Sequence, residues 1–169
     1  GGAVLFFGTA GCCRCHPGAG LSSMTRHALG VDDLYQHPDA VQTDEHDKRN
    51  LGRGGFTREE EDMYKFKVPG IYNMAQTPFY FHGSSRSSLE EVVEYFNAGV
   101  PENPNVPEAQ ISQSFHPLQL TSTEKEALVK FLRYSLLDPD LDRYVPRSLP
   151  SGNCFPNGDP ISTADLGCE

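Results

Sequence analysis

The chain has 169 residues, with 14 Lys and Arg against 23 Asp and Glu, giving a net charge of −9. That length suits one domain with a proper core, and the acidic balance leaves no basic stripe for binding nucleic acid. No apolar run reaches the roughly 18 residues of a membrane-spanning helix.

Hydrophobic residues make up 37% of the chain, with 13 prolines and 16 glycines. This composition predicts few regular elements joined by long, shaped loops. A large buried prosthetic group would supply apolar surface that the side chains lack. Residues 2–9 read as the end of an apolar helix whose start is truncated. The chain opens on Gly1 with no visible signal peptide, which is expected of a processed or partial chain.

Next comes Cys12-Cys13-Arg14-Cys15-His16. It fits C-x-x-C-H, the covalent c-type haem attachment pattern. Two intervening residues let one tight turn present both sulfurs to a single porphyrin edge. Cys12 and Cys15 would form thioethers, and His16 would reach the iron from the proximal face. A structural zinc site would want a second short-spaced ligand pair, and a redox dithiol would sit in a βαβ setting; neither is present. Cys13 reads as a variable position within the motif. One covalently bound haem c is the expected cofactor. Such haem is attached outside the cytoplasm, so the expected compartment is periplasmic or extracellular. There Cys154 and Cys168 are free to form a disulfide.

Residues 17–63 read mostly as loop, with Gly52, Gly54 and Gly55 opposing regular structure. His27, His37 and His46 lie there and are expected at the solvated surface, as is the acidic run from Glu59 to Asp62. Residues 64–87 hold Tyr64, Phe66, Tyr72, Phe79, Tyr80 and Phe81, with Pro69 and Pro78 breaking any helix. They predict an extended aromatic wall rather than a strand. Residues 88–98 predict a helix, capped by Ser87-x-x-Glu90 or Ser88-x-x-Glu91. Leu89, Val92, Val93 and Phe96 form its apolar face. After a loop over residues 101–120, residues 122–137 predict a second helix, capped at Thr121 or Thr123. Beyond Pro139 the chain reads as irregular. The fold class expected is all-α, a cytochrome c-like haem domain with long loops over residues 1–137. An irregular extension, closed by the Cys154–Cys168 disulfide, would cover residues 138–169.

Two further blocks are specific. Phe66-Lys67-Val68-Pro69-Gly70-Ile71-Tyr72-Asn73 is followed by Thr77-Pro78-Phe79-Tyr80-Phe81-His82-Gly83. Together they resemble the signature of bacterial dihaem cytochrome c peroxidases and their MauG-like relatives. The helices at residues 88–98 and 122–137 follow in the family's order, and Phe6-Phe7-Gly8 and Gly52-Arg53 also fit. The resemblance runs from about residue 2 to 137 and corresponds to the C-terminal haem domain. It implies a second, peroxide-reducing haem on an upstream or separate domain. It also implies electrons arriving from a small cytochrome c or cupredoxin and relayed through this haem. A non-catalytic monohaem electron carrier is the alternative, as is MauG-like oxidation of a protein or organic substrate.

The resemblance also carries residues. His82 matches a histidine kept near the haem; the alternative is a buried imidazole bonded to the backbone. Phe66 and Pro69 would line the haem, and Arg53, Lys65 and Lys67 are candidate propionate partners. Family members place a Met or Tyr distal ligand fourteen residues after this histidine; here that position is Phe96, which cannot bind iron. Met74 or Tyr95 are the substitutes, ahead of Met63 and Met24, with Met74 as a core filler and an open iron face as the alternatives. Family members also bind calcium through backbone carbonyls, which would fall at Thr77 and Phe79.

Overall fold

The computed structural model describes residues 1–138, 149–152 and 164. The chain divides into two compact units, Gly1–Leu137 and Asp138–Glu169. Every named helix and strand lies in the first. Cys154 and Cys168, and the disulfide expected between them, lie outside the described residues.

Four α-helices carry the first unit: α1 (Gly2–Phe7), α2 (Gly54–Thr57), α3 (Leu89–Ala98) and α4 (Ser122–Lys130). One two-residue pair, β1 (Arg26–His27) with antiparallel β2 (Phe66–Lys67), joins them. Helix with little strand is consistent with a cytochrome c-like domain.

α3 starts where its capping box closes. Ser88 Oγ accepts from Glu91 N, and the Glu91 carboxylate accepts from the Ser88 N–H at 3.0 Å. Of the two possible caps, the second is used. Gly99, with φ +60°, ends the helix against His116 and Pro117. α4 is capped in the same way by Thr121 and Glu124. It stops at Lys130, short of the expected end. A π-helical turn, Phe131–Ser135, continues it. That turn sets Phe131 against Phe6, with ring centroids 5.3 Å apart, while Leu132 and Leu136 stay buried.

α1 and α3 both pack on α4. The α1 contact requires Gly2: a Cβ there would lie 2.1 Å from the Ala127 carbonyl oxygen. Phe6, Leu89, Val92, Val93, Leu128, Val129, Leu132 and Leu136 form the main core. Ion pairs tie α3 to α4 and to the turn that continues it, Lys125 to Glu94 at 2.6 Å and Arg133 to Glu90 at 2.8 Å. A smaller cluster of Val31, Tyr95 and Phe115 sits behind α3, and Phe81 and Phe96 border both clusters.

Two loop expectations change. Residues 54–57 form a helical turn despite their glycines, because Gly54 has no Cβ to strike Met63, which it would meet at 2.6 Å. Within the aromatic segment, Phe66 and Lys67 do pair as a strand. Ala28 then bridges Ile111 in parallel, so three distant segments meet beside His27.

Candidate haem site

Gly11, in a left-handed conformation at φ +65°, releases the chain from α1 into a 3-10 turn, Cys12–Arg14. The N–H groups of Cys15 and His16 both donate to the Cys12 carbonyl, at 3.2 and 3.0 Å. Cys12, Cys15 and His16 therefore share one helical turn. The three cysteines of this segment, Cys13 included, form no disulfide. Burial pushes the Cys12 thiol up to about 11 and raises Cys15 as well. Cys13 Sγ lies 3.4 Å from the Phe7 carbonyl oxygen.

His16 is oriented by its own loop. Its Nδ1 donates to the Leu21 carbonyl at 2.9 Å. Leu21 is buried and held at φ +42°. With Nδ1 as the N–H, Nε2 keeps its lone pair. Burial lowers the imidazole's pKa, against the opposing pull of the Leu21 and Pro69 carbonyls. A neutral imidazole with Nε2 available is the form a metal requires.

The other expected residues scatter. His82 Nε2 donates to Asp33 Oδ1 at 3.0 Å. Its ring stacks on Phe66, with centroids 3.6 Å apart and planes 9° apart. His82 and Phe66 thus occupy each other, and the imidazole is satisfied by a carboxylate rather than by a backbone carbonyl. Pro69 is exposed, with its carbonyl beside His16. Arg53, the propionate candidate, is exposed and donates through Nε to Asp62 at 2.7 Å. Lys67 Nζ donates to the Val68 carbonyl.

Tyr95 is buried, against its expected place off the apolar face. Its hydroxyl donates to the Leu29 carbonyl at 2.8 Å, and the Arg86 guanidinium lies 5.2 Å from the ring centre. The phenol hydrogen is therefore held by a backbone carbonyl. Phe96 is half-buried and held between Phe81 and Phe115, 6.0 and 5.9 Å away. Met74 is half-buried against the same core that Cys12 and Phe96 border. Met24 is 72% exposed, and Met63 packs on Gly54. Thr77 and Phe79 are exposed. Among the described residues, no group of three His, Cys, Asp or Glu side chains is placed to hold a metal ion.

Three participants were not legible beforehand. His27, expected at the surface, is half-buried and bonds Ser112 and Thr25. Asp33 and Asn103 are buried, and Asn103 Nδ2 donates to Asp33 Oδ2 at 2.9 Å and to the Val31 carbonyl. Asp33-x-x-Gln36 has the spacing of a helix cap, and its reciprocal bond at 2.7 Å is present; Asn103 carries no such signal.

No family model matches the chain. A cytochrome-c peroxidase of Denitromonas iodatirespirans is 30% identical over 159 residues, covering 82% of this chain and 40% of the relative. The chain belongs to the cytochrome c peroxidase/MauG-like family. A cytochrome c551 peroxidase of Nitrosomonas europaea is 28% identical over 92% of this chain and 39% of its own length. A crystal structure of a MauG-like protein associated with microbial copper homeostasis matches with a TM-score of 0.64 at 28% identity. It covers 82% of this chain and 43% of that one. The chain spans about two fifths of the length of the curated relatives it matches.

Membership implies haem c, and the residues present fit it. The turn supplies two thiols and an imidazole whose Nδ1 is held by the Leu21 carbonyl. Half-buried apolar side chains, Met74, Phe81 and Phe96, border the core beside Cys12. Bound there, haem c supplies one-electron chemistry at its iron.

Proposed function

We propose that this chain is the electron-relay haem domain of a dihaem cytochrome c peroxidase-like oxidoreductase that reduces hydrogen peroxide to water. Cys12 and Cys15 anchor one haem c, and His16 Nε2 is its proximal ligand. Electrons arrive from a small cytochrome c or cupredoxin outside the cytoplasm and pass to a peroxidatic haem on another domain or chain. The observation that carries this reading is the single Cys12–His16 turn, its imidazole preset by Leu21, in a chain matching two fifths of peroxidase relatives. The net charge of −9 suits a basic or dipolar donor surface. No helix among the described residues is long and apolar enough to cross a membrane. Calcium held by the Thr77 and Phe79 carbonyls belongs to the same reading.

The structural likeness to a MauG-like protein favours a second reading, oxidation of a protein or organic substrate by the partner haem. The test is the denatured mass and haem count of the polypeptide purified from its source. A longer polypeptide with two covalent haems supports the relay, and peroxide turnover against substrate oxidation then separates the two chemistries. One haem on a chain of this mass points to a stand-alone electron carrier instead. No covalent haem overturns the proposal.

A further inference from the structure

His27 is the most constrained side chain near the attachment turn that no role yet explains. Its backbone pairs with Phe66 across β1–β2, while neighbouring Ala28 bridges Ile111. Its ring is tethered at both nitrogens. Nδ1 lies 2.9 Å from Ser112 Oγ, and Nε2 lies 3.1 Å from Thr25 Oγ1 and 3.7 Å from Cys15 Sγ. Ser112 Oγ already accepts the Ser114 N–H at 3.3 Å. With the Ser112 hydroxyl donating to Nδ1, Nε2 carries the N–H. That hydrogen is shared between Thr25 Oγ1 and the Cys15 sulfur.

We propose that His27 is a positioning residue for the Cys15 thioether, its Nε2–H holding Cys15 Sγ in one rotamer before and after haem attachment. The inference rests on the haem reading above. The bond-forming step is an addition. The sulfur joins the inner vinyl carbon, the thiol hydrogen goes to the outer one, and the S–H bond and the vinyl π bond are lost with no net oxidation. A free thiol samples three staggered rotamers. One already fixed loses less entropy on reaching its partner. Cys12 has a different partner, its thiol donating to the Ala10 carbonyl at 3.8 Å, and does not touch His27. The effect should therefore fall on one thioether and not on both.

The experiment produces the full chain with a c-type haem maturation system as wild type, His27→Phe, His27→Gln and Cys15→Ala. The alkaline pyridine haemochrome spectrum separates haem held by two thioethers from haem held by one, and Cys15→Ala marks the one-thioether form. His27→Phe is expected to raise the ratio of one- to two-thioether haem by about fivefold, the equilibrium worth of one hydrogen bond. His27→Gln, which keeps an N–H donor, should restore most of the wild-type ratio. A His27→Phe spectrum identical to wild type overturns the role. If His27→Phe does not accumulate, Ser112→Ala decides, because it loosens the ring but leaves Nε2 present. An intermediate ratio then supports the role, and an unchanged one overturns it. A wild-type chain without covalent haem sinks the haem reading itself, which separates the two failures.

Discussion

His82 donates through Nε2 to the buried carboxylate of Asp33, 3.0 Å away and 49 residues distant in sequence. The second Asp33 oxygen accepts from Asn103. One carboxylate thereby joins three loops that have little regular structure of their own. Asp33→Ala should cost about 3 kcal/mol, because it leaves one buried and one half-buried donor without their shared acceptor. Chemical denaturation of wild type and variant measures it, and a loss below about 1 kcal/mol would show the network to be incidental.

Gly83 lies against the same segment. A Cβ there would meet the Asp32 carbonyl oxygen at 1.9 Å and the Asp33 carbonyl carbon at 2.8 Å, both backbone atoms. Gly83→Ala must therefore displace Asp33 from His82, at a cost of roughly 2–4 kcal/mol. Because both changes break one network, Gly83→Ala combined with Asp33→Ala should cost clearly less than their sum. Additive losses in a double-mutant cycle would contradict this.

Acid should weaken the helix starts and the tie from α3 to the turn that continues α4 together. Glu91 and Glu124 have pKa values lowered from 4.5, chiefly by the hydrogen bonds of Ser88 and Thr121, and Glu90 is lowered by its bond to Arg133. Carboxylates with depressed folded-state values contribute stability above 4.5 that is lost as pH falls through those lower values. The melting temperature should hold down to about that pH and then decline. Glu91→Gln should flatten the decline while lowering the plateau, and a profile unchanged by the substitution would count against the caps.

The residue at position 96 should decide what meets the far face of the haem. Phe96→Met places a thioether between Phe81 and Phe115, and the holoprotein should gain the red charge-transfer band of sulfur bound to iron. Met74→Leu should leave the spectrum unchanged and cost less than about 1.5 kcal/mol, as a volume-conserving core exchange does. Loss of an existing sulfur band in Met74→Leu would instead identify Met74 as the ligand.

The parts legible in the sequence are those whose physics is local. Cys12, Cys15 and His16 share a turn because three residues of backbone suffice to place them. The boxes at Ser88 and Thr121 close over three residues, and the apolar spacing of α3 follows from one helix period. Tyr95 shows where that logic stops. Helix period alone set it off the apolar face, but a second cluster behind α3 buries it and takes its hydroxyl. His27 was indistinguishable from a solvated loop histidine, since its partner Ser112 is 85 residues away. Arg53 likewise read as a candidate propionate partner, and its bond to Asp62 carried no signal in the sequence.

The sequence by itself determined the attachment turn, the two capped helices and the family. Covalent motifs, caps and amphipathic periods are written in neighbouring residues. Only the tertiary structure decided the Asp33–His82–Phe66 stack, the diversion of Tyr95, and the setting of His27 beside Cys15. Those contacts join residues from 12 to 66 positions apart, and packing and hydrogen bonding select their partners only once the chain has closed around its core.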